Sequence, residues 1–252
     1  MDQRSERAAI AGIELFKLAK GEVTAYMSRI VPVEGIGWPF SSFYSCVSQG
    51  RLINDIHEFV TKEICGEVRR GKILDIGTGP GRLPVKIVLK NPDLEVYGVD
   101  LSDAMIKIAE QNAIKAGVLQ RLEFRVGSVY SIPYENDFFD MIVSTLSFHH
   151  WNEPIRGLNE LYRVLKPGRE CWVYDIRRDL SHDAREEARK RYGWFLGALG
   201  LWLVRRHSSI TMERAKELEI DSRLLFKNPD VEGRGILLRL RFKKENAEVK
   251  SN

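Results

Sequence analysis

The chain has 252 residues, enough for one domain with an added segment or for two small domains. Apolar residues make up 44% of it and charged residues 29%, which excludes disordered, collagen-like and coiled-coil proteins. The 39 basic and 35 acidic residues give a net charge of +4, a balance that argues against a dedicated nucleic-acid binder. Because Cys46, Cys65 and Cys171 are far apart and form no CxxC pair, we expect no disulfide, no bound metal and a reducing, cytoplasmic location.

The first 66 residues predict a helical cover or lid. Residues 4–30 and 50–67 have helical periodicity, whereas residues 31–45 carry Pro, Gly and aromatic residues without regular spacing. Tyr44, in this cover, is a candidate for contact with a substrate.

Residues 67–243 form the predicted main domain, and their central part alternates short β-branched runs with helical patterns. This alternation is typical of βαβ units in a parallel, doubly wound α/β sheet. The predicted strands are Lys72–Ile76, Glu95–Val99, Leu122–Val126, Phe139–Ser144 and Glu170–Tyr174, and the helices between them are Gly81–Leu89, Ser102–Ala116 and Pro154–Leu165.

The C-terminal third predicts a long helix, a hairpin and a tail. The helix, Asp183–Arg206, lies in an insertion at residues 180–210, and its apolar stretch, 194–204, is too short to cross a bilayer. Such a stretch packs inside the protein, pairs with a second subunit or contacts a membrane surface. Ser222–Lys227 and Gly235–Phe242 predict an antiparallel hairpin that turns at Asn228-Pro229-Asp230, and residues 244–252 a tail.

The strongest functional signal is a glycine-rich turn between the first predicted strand and helix. Gly77, Gly79 and Gly81 follow the strand directly, and glycines let a ligand approach the backbone closely. Asp100 ends the second strand, where nucleotide-binding sheets place a carboxylate that accepts ribose hydroxyl bonds. Leu101 and Met105 would then present apolar surface to an adenine ring.

The spacing of the glycines distinguishes two classes of cofactor. Dinucleotide-binding proteins have GxGxxG, whereas this chain has GxGxG. Asp75 places a carboxylate beside the turn, which suits a cationic ligand better than a diphosphate. A nicotinamide oxidoreductase is therefore disfavoured.

Five motifs in order resemble those of the class I S-adenosylmethionine-dependent methyltransferases, in particular the ubiquinone/menaquinone C-methyltransferase-like (methyltransferase type 11) branch. The resemblance covers about residues 72–175 and rests on residues 74–81, 99–102, 138–142, 147–151 and 163–168. It implies S-adenosylmethionine as cofactor, S-adenosylhomocysteine as product, and a Rossmann-like seven-stranded sheet of order 3-2-1-4-5-7-6 with its last strand antiparallel.

The resemblance also implies which residues hold the cofactor. Asp75 and the turn 77–79 would contact its methionine part, Asp100 the ribose and Leu101 the adenine. Many members have an acidic residue after the third strand, where this chain has only Gly127-Ser128-Val129. The candidate cofactor contacts are Asp75, Gly77, Thr78, Gly79, Gly81, Asp100, Leu101, Met105, Ser128, Val129 and Ser144.

Methyl transfer needs alignment of the reactants and sometimes a base. His149 and His150 follow the fourth strand and are candidates for that base, although either could be structural. Asp175, at the end of the fifth strand, is a candidate substrate contact. We expect a small organic acceptor, lipophilic or aromatic. RNA or protein is the alternative acceptor, because the chain from Arg169 onward has 19 basic and 14 acidic residues. A catalytically silent cofactor-binding partner protein is the third interpretation.

Overall fold

The computed structural model describes residues 51–192, 209–218 and 221–246. Most of the expected N-terminal cover, with Tyr44, lies outside these ranges, as does the apolar stretch 194–204. None of the helices in the described ranges is long and apolar enough to span a bilayer.

Helices and strands alternate through most of the described chain. The helices are α1 (Arg51–Glu67), α2 (Arg82–Lys90), α3 (Asp103–Lys115), α4 (Pro154–Val164), α5 (His182–Tyr192) and α6 (Met212–Glu217), with 3-10 turns at Leu119–Arg121 and Phe148–His150. The strands are β1 (Gly71–Ile76), β2 (Leu94–Asp100), β3 (Leu122–Val126), β4 (Phe139–Thr145), β5 (Leu165–Arg177), β6 (Ser209–Ile210), β7 (Lys227–Arg234) and β8 (Leu237–Lys243).

One sheet holds all of these strands in the order β3-β2-β1-β4-β5-β8-β7, and the two-residue β6 pairs with β5. The first five strands are mutually parallel, whereas β8 is antiparallel to both of its neighbours, β5 and β7. With β6 set aside, the order is 3-2-1-4-5-7-6, so the predicted fold class is confirmed.

Apolar side chains cover both faces of the sheet. On one face, Ile56, Val60 and Ile64 of α1 belong to the same buried cluster as β1 and α2. This part of the expected cover therefore packs into the core of the sheet. On the other face, Leu158 and Leu161 of α4 pack with the apolar side chains that the central strands present on that face.

The C-terminal hairpin differs from its prediction. Its turn lies at Gly235 and Ile236, where Gly235 has φ +61°, and not at Asn228-Pro229-Asp230. The Asn-Pro pair instead lies within β7, where the pairing with β8 shifts register between Lys227 and Asp230. A proline can occupy this place because β7 lies at an edge of the sheet that the described strands form. The predicted first strand of the hairpin was therefore wrong.

The expected tail also begins later than residue 244. The side chain of Lys244 is buried, and its Nζ donates to Asp137 Oδ1 at 2.6 Å and to the carbonyls of Tyr162 and Leu165 at 2.8 Å. Lys244 thus ties the end of β8 to the start of β5. Residues 247–252 lie outside the described ranges.

Candidate active site

A loop of left-handed glycines joins β1 to α2 at the carboxyl edge of the sheet. Gly77, Gly79 and Gly81 have φ of +72°, +52° and +69°, a backbone conformation that side chains with a Cβ disfavour. A Cβ added to Gly77 would clash with the side chain of Ser147. The glycine therefore also makes room for the chain that follows β4.

Asp100 fixes this loop through its carboxylate. Its Oδ2 accepts the backbone N–H of Gly79 at 2.8 Å, and its Oδ1 accepts that of Ser102 at 2.9 Å. Burial raises the pKa of Asp100, and these two N–H groups oppose the rise. Each carboxylate oxygen has a second lone pair, which suits a pair of ribose hydroxyls. The neighbouring Leu101 is 43% exposed, as an apolar contact for an adenine ring needs to be.

Asp75 is a buried carboxyl directly below the loop. Its side chain accepts the hydroxyl proton of Thr78 at 2.7 Å, and the residue is only 2% exposed. Burial raises the pKa of Asp75 to about 7; the Thr78 hydrogen bond opposes this rise and the nearby Asp100 carboxylate adds to it. A cationic ligand above the loop would favour the ionised form.

The raised pKa of Asp75 predicts a pH-dependent affinity for S-adenosylmethionine, which carries a sulfonium cation. Since a bound cation stabilises ionised Asp75, binding should strengthen from pH 6 to pH 8, by at most ~10-fold per pH unit. Asp75→Asn should bind more weakly and with a flat pH dependence. Calorimetric titrations of the wild type and of Asp75→Asn across this pH range measure the affinity and its pH dependence. An equal pH slope in the two proteins would contradict a role of the Asp75 carboxylate in binding the cation.

The raised pKa of Asp75 also predicts how the stability of the ligand-free protein depends on pH, and here the effect of rising pH is unfavourable. The pKa of Asp75 is about 7 when folded, against 3.8 as its ordinary value, so the unfolded chain loses this proton first. Stability therefore falls as the pH rises through that interval. At pH 8 we expect Asp75→Asn to raise the free energy of unfolding by a few kcal/mol, on the order given by ~1.4 kcal/mol per pKa unit.

The other candidate cofactor residues lie in the first turn of α3, after β3 and near the end of β4. Met105 is buried, and its backbone N–H bonds the Ser102 hydroxyl at the start of α3. Ser128 accepts the N–H of Tyr130 at 3.2 Å, and Val129 next to it is half-buried. Ser144 is fully buried and lies 3.0 Å from the hydroxyl of Ser147. Beyond the end of β4, the Ser147 hydroxyl donates to the carbonyl of Ile76 at 3.4 Å, a contact that sequence reasoning missed.

His149, His150 and Asp175 form a chain of hydrogen bonds at the ends of β4 and β5. His149 Nδ1 lies 2.9 Å from Asp175 Oδ2 and 3.0 Å from Oδ1, and its backbone N–H bonds the same carboxylate at 3.0 Å. His149 Nε2 lies 2.9 Å from His150 Nε2. The Asp175 side chain is 1% exposed and that of His149 5%, whereas His150 is exposed. Asp175, the candidate substrate contact, therefore lies behind His149.

The hydrogen bonds define the protonation of the two rings. A carboxylate can only accept, so a neutral His149 carries its proton on Nδ1 and a lone pair on Nε2. His150 then donates its Nε2 proton to His149. When the His150 ring takes up a further proton, Asp175 stabilises the added charge through His149. The arrangement can act as a general base at the carboxyl edge of the sheet.

The turn that carries the histidines holds a strained residue. Leu146 has φ +57°, an uncommon conformation for a branched side chain, and its N–H bonds the carbonyl of Tyr174 at 2.8 Å. This bond ties the end of β4 to β5 just before the histidines. The strained residue thus lies directly before the turn that carries the histidines. In the described part of the chain, no three His, Cys, Asp or Glu residues are grouped so as to hold a metal.

Known proteins resemble this chain in sequence and in fold. Residues 74–173 match the family model described as a methyltransferase domain. An uncharacterized methyltransferase of Bacillus subtilis, YdaC, is 30% identical over 51% of this chain and 67% of its own. The ubiquinone/menaquinone biosynthesis C-methyltransferase UbiE of Geotalea daltonii is 32% identical over 39% of this chain and 42% of its own.

A solved structure extends the likeness of fold over most of the chain. It is that of a putative S-adenosyl-L-methionine-dependent methyltransferase from Methanococcus maripaludis. The TM-score is 0.67 at 22% identity, over 83% of this chain and 94% of that one. By contrast, the chain spans only 42–59% of the length of the UbiE relatives that it matches.

Proposed function

The chain belongs to the class I S-adenosylmethionine-dependent methyltransferases, and on that premise we propose that it methylates a small organic acceptor with His150 as the base. The family predicted from the five motifs is confirmed, and S-adenosylmethionine is its cofactor. We assign the methionine part of the cofactor to Asp75 and the turn 77–79, the ribose to Asp100 and the adenine to Leu101.

One observation carries the proposal, the chain of hydrogen bonds from Asp175 through His149 to His150. A methyltransferase whose acceptor is already a free nucleophile has no need of a base. Two histidines backed by a buried carboxylate therefore favour an acceptor whose nucleophilic atom still bears a proton.

The proposed step balances without a further reactant. S-adenosylmethionine supplies a methyl group on a cationic sulfur. For O-methylation, a hydroxyl oxygen gives its proton to His150 and forms a bond to that methyl carbon. For C-methylation, the enol hydroxyl gives its proton to His150, the neighbouring carbon forms the bond to the methyl carbon, and tautomerisation then moves that carbon's own proton to the oxygen. The carbon–sulfur bond breaks, its electron pair stays on sulfur, and S-adenosylhomocysteine is released. Asp175, 1% exposed behind His149, acts as a positioning residue.

Phenols and quinols are the acceptor class that these features favour. Their hydroxyls are acidic enough for an imidazole base, and their rings are apolar. The UbiE relatives are named for C-methylation in ubiquinone and menaquinone biosynthesis, which supports an acceptor of this kind. Contact with a membrane or a second subunit through residues 194–204 stays a prediction, as does the cytoplasmic location.

An acceptor panel tests the proposed reaction. We expect transfer of labelled methyl from S-adenosylmethionine to a hydroquinone or catechol, and none to the same ring with its hydroxyls already methylated. A primary amine and a transfer RNA complete the panel. Methylation of the amine or the RNA alone would contradict the proposal, and the RNA result would favour the alternative suggested by the basic C-terminal third.

A further inference from the structure

The outer edge of β3 is open in the described part of the chain. Among the described strands β3 pairs only with β2, and this pairing keeps one register along all five residues. At the opposite end of the sheet, β7 carries Pro229 and a register shift, two features that hinder pairing with a further strand. β3 has no proline and no such shift. Its edge is therefore suited to pairing with another strand.

The hydrogen bonds to β2 define which backbone groups point away from the sheet. Gly127, the residue after β3, donates its N–H to the carbonyl of Asp100 on β2 at 2.9 Å. Since successive strand residues direct their backbone groups to opposite sides, residues two positions apart share a side. Arg125 therefore also bonds β2, whereas the N–H and C=O groups of Phe124 and Val126 point outward. Among the described residues, none bonds these outward groups.

Antiparallel pairing with β3 of a second copy satisfies these groups. A two-fold axis at Phe124 places this residue opposite itself, and the two copies of it exchange two hydrogen bonds. Val126 then lies opposite Leu122 of the partner subunit and donates its N–H to the carbonyl there. The N–H of Leu122 already bonds the carbonyl of Leu119 within its own chain. Two bonds at the axis and one from each Val126 make four.

The charges of β3 are self-complementary in this register. Glu123 lies opposite Arg125 of the partner subunit, and Arg125 lies opposite the partner's Glu123, so two pairs of opposite charges face each other. An axis at Glu123 would place two glutamates opposite each other, and an axis at Arg125 would do the same with two arginines. The charges therefore also select the register.

The two charged side chains are held in place before any partner binds. Arg125 bonds the carboxylate of Glu123 and donates to the carbonyl of Pro133 at 2.8 Å. Its guanidinium lies over the ring of Tyr134, 4.4 Å from the ring centre. Both charged side chains are nonetheless more than 40% exposed. A side chain that is already ordered loses less conformational freedom on association, which favours binding.

Exposed apolar side chains flank the same edge. Val126 is 49% exposed, and Leu119, in the 3-10 turn before β3, and Ile114 of α3 are also exposed. The turn and α3 both contact β3. Leu122 and Phe124 belong to the same buried cluster as Ala113 of α3, so the side chain of Val126 points to that face of the sheet. Pairing of two β3 strands covers apolar surface there, which adds to the backbone hydrogen bonds.

We propose that the protein forms a two-fold symmetric dimer in which the β3 strands of two copies pair antiparallel about Phe124. The two sheets then join into one continuous sheet. Because the strands that meet are antiparallel, the carboxyl edges of the two sheets face opposite ways, and the two cofactor sites open on opposite sides of the dimer. The dimer does not depend on the acceptor or on His150, so its failure leaves the proposed reaction untouched.

Charge reversal tests the dimer by analytical ultracentrifugation of the full chain. We expect the wild type to sediment as a dimer. Glu123→Arg makes both facing residues basic and Arg125→Glu makes both acidic, so each variant alone should raise the Kd of the dimer by at least about 10-fold. An equimolar mixture of the two variants should dimerise like the wild type, because opposite charges face each other again.

Lys216→Glu is the matched control. It makes the same change of charge as Arg125→Glu, on an exposed residue of α6, and α6 contacts β7 at the opposite end of the sheet. This variant should dimerise like the wild type.

Three results would overturn the proposal. The first is a monomeric wild type. The second is a dimer that neither reversal in β3 weakens, which would place the interface elsewhere, for example at residues 194–204. The third is a loss in each variant that the mixture does not restore, because the two side chains then do not face each other across an axis.

Amide hydrogen exchange of the wild-type protein tests the pairing without any variant. The outward N–H groups of Phe124 and Val126 should be protected at concentrations where the dimer forms and should exchange rapidly after dilution. The N–H of Arg125, which bonds β2, should be protected in both samples and serves as the internal control. Rapid exchange of Phe124 and Val126 in the concentrated sample would contradict the pairing.

Discussion

Asp100→Asn should lose at least about 100-fold in affinity for S-adenosylhomocysteine, since charge-assisted hydrogen bonds contribute ~1.5–3 kcal/mol each. The carboxylate has two tasks, holding the N–H groups of Gly79 and Ser102 and accepting the ribose hydroxyls. An amide has a single acceptor oxygen and cannot do both. Calorimetric titration at constant pH measures the loss.

A control variant and a control ligand separate these two tasks. Asp103→Asn removes a negative charge three residues away, from a side chain that is 64% exposed, and should bind normally. An analogue without ribose hydroxyls should bind the wild type weakly and lose little more in Asp100→Asn. Affinity of Asp100→Asn within 2-fold of the wild type would refute the ribose assignment.

His150→Gln should lower kcat by roughly 10²–10⁴-fold, the usual contribution of a general base. Binding of S-adenosylhomocysteine should not change, because His150 lies in the turn after β4 and not in the glycine loop. His149→Gln should show the same pattern, since it interrupts the path from Asp175. Initial rates of methyl transfer to a phenol measure the losses.

The acidity of the acceptor distinguishes a base from a structural residue. A nitrophenol is already ionised at neutral pH, so it needs no base and should be methylated by His150→Gln at close to the wild-type rate. An ordinary phenol should show the full loss. If both acceptors lose the same factor, the histidine positions the acceptor or the turn, and the proposed base is wrong.

The parallel strands were predictable because each has a short β-branched run bounded by a turn or a helix cap, whereas their order was implied by the resemblance to the methyltransferase family. The hairpin was not predictable, because Asn228-Pro229 reads as a turn unless the edge position of β7 is known. An edge strand tolerates a proline and a register shift, whereas Gly235 and Ile236 suffice for the actual turn. Strand position is a property of the sheet and is absent from local sequence.

The sequence was sufficient to predict which strands and turns carry the site, but not which of its side chains contact one another. His149 follows β4, and Asp175 lies near the end of the adjacent parallel strand β5, so their nearness follows from topology. Their direct contact depends on the rotamer of each side chain. Asp175 was therefore assigned to the substrate although it lies behind His149. Ser147 gave no signal, because its nearness to Gly77 arises only in the folded chain.

The place of β8 in the sheet has a consequence for synthesis of the protein. β8 pairs with β5 along residues 170–176, and Asp175 lies opposite Leu238. A nascent chain that has not yet released residues 237–243 from the ribosome leaves the outer edge of β5 without this partner, open to pairing with another chain. The strand that carries Asp175, behind the histidines, is then an exposed edge of the sheet. Premature termination before residue 237 should therefore yield aggregates and not a weakened enzyme.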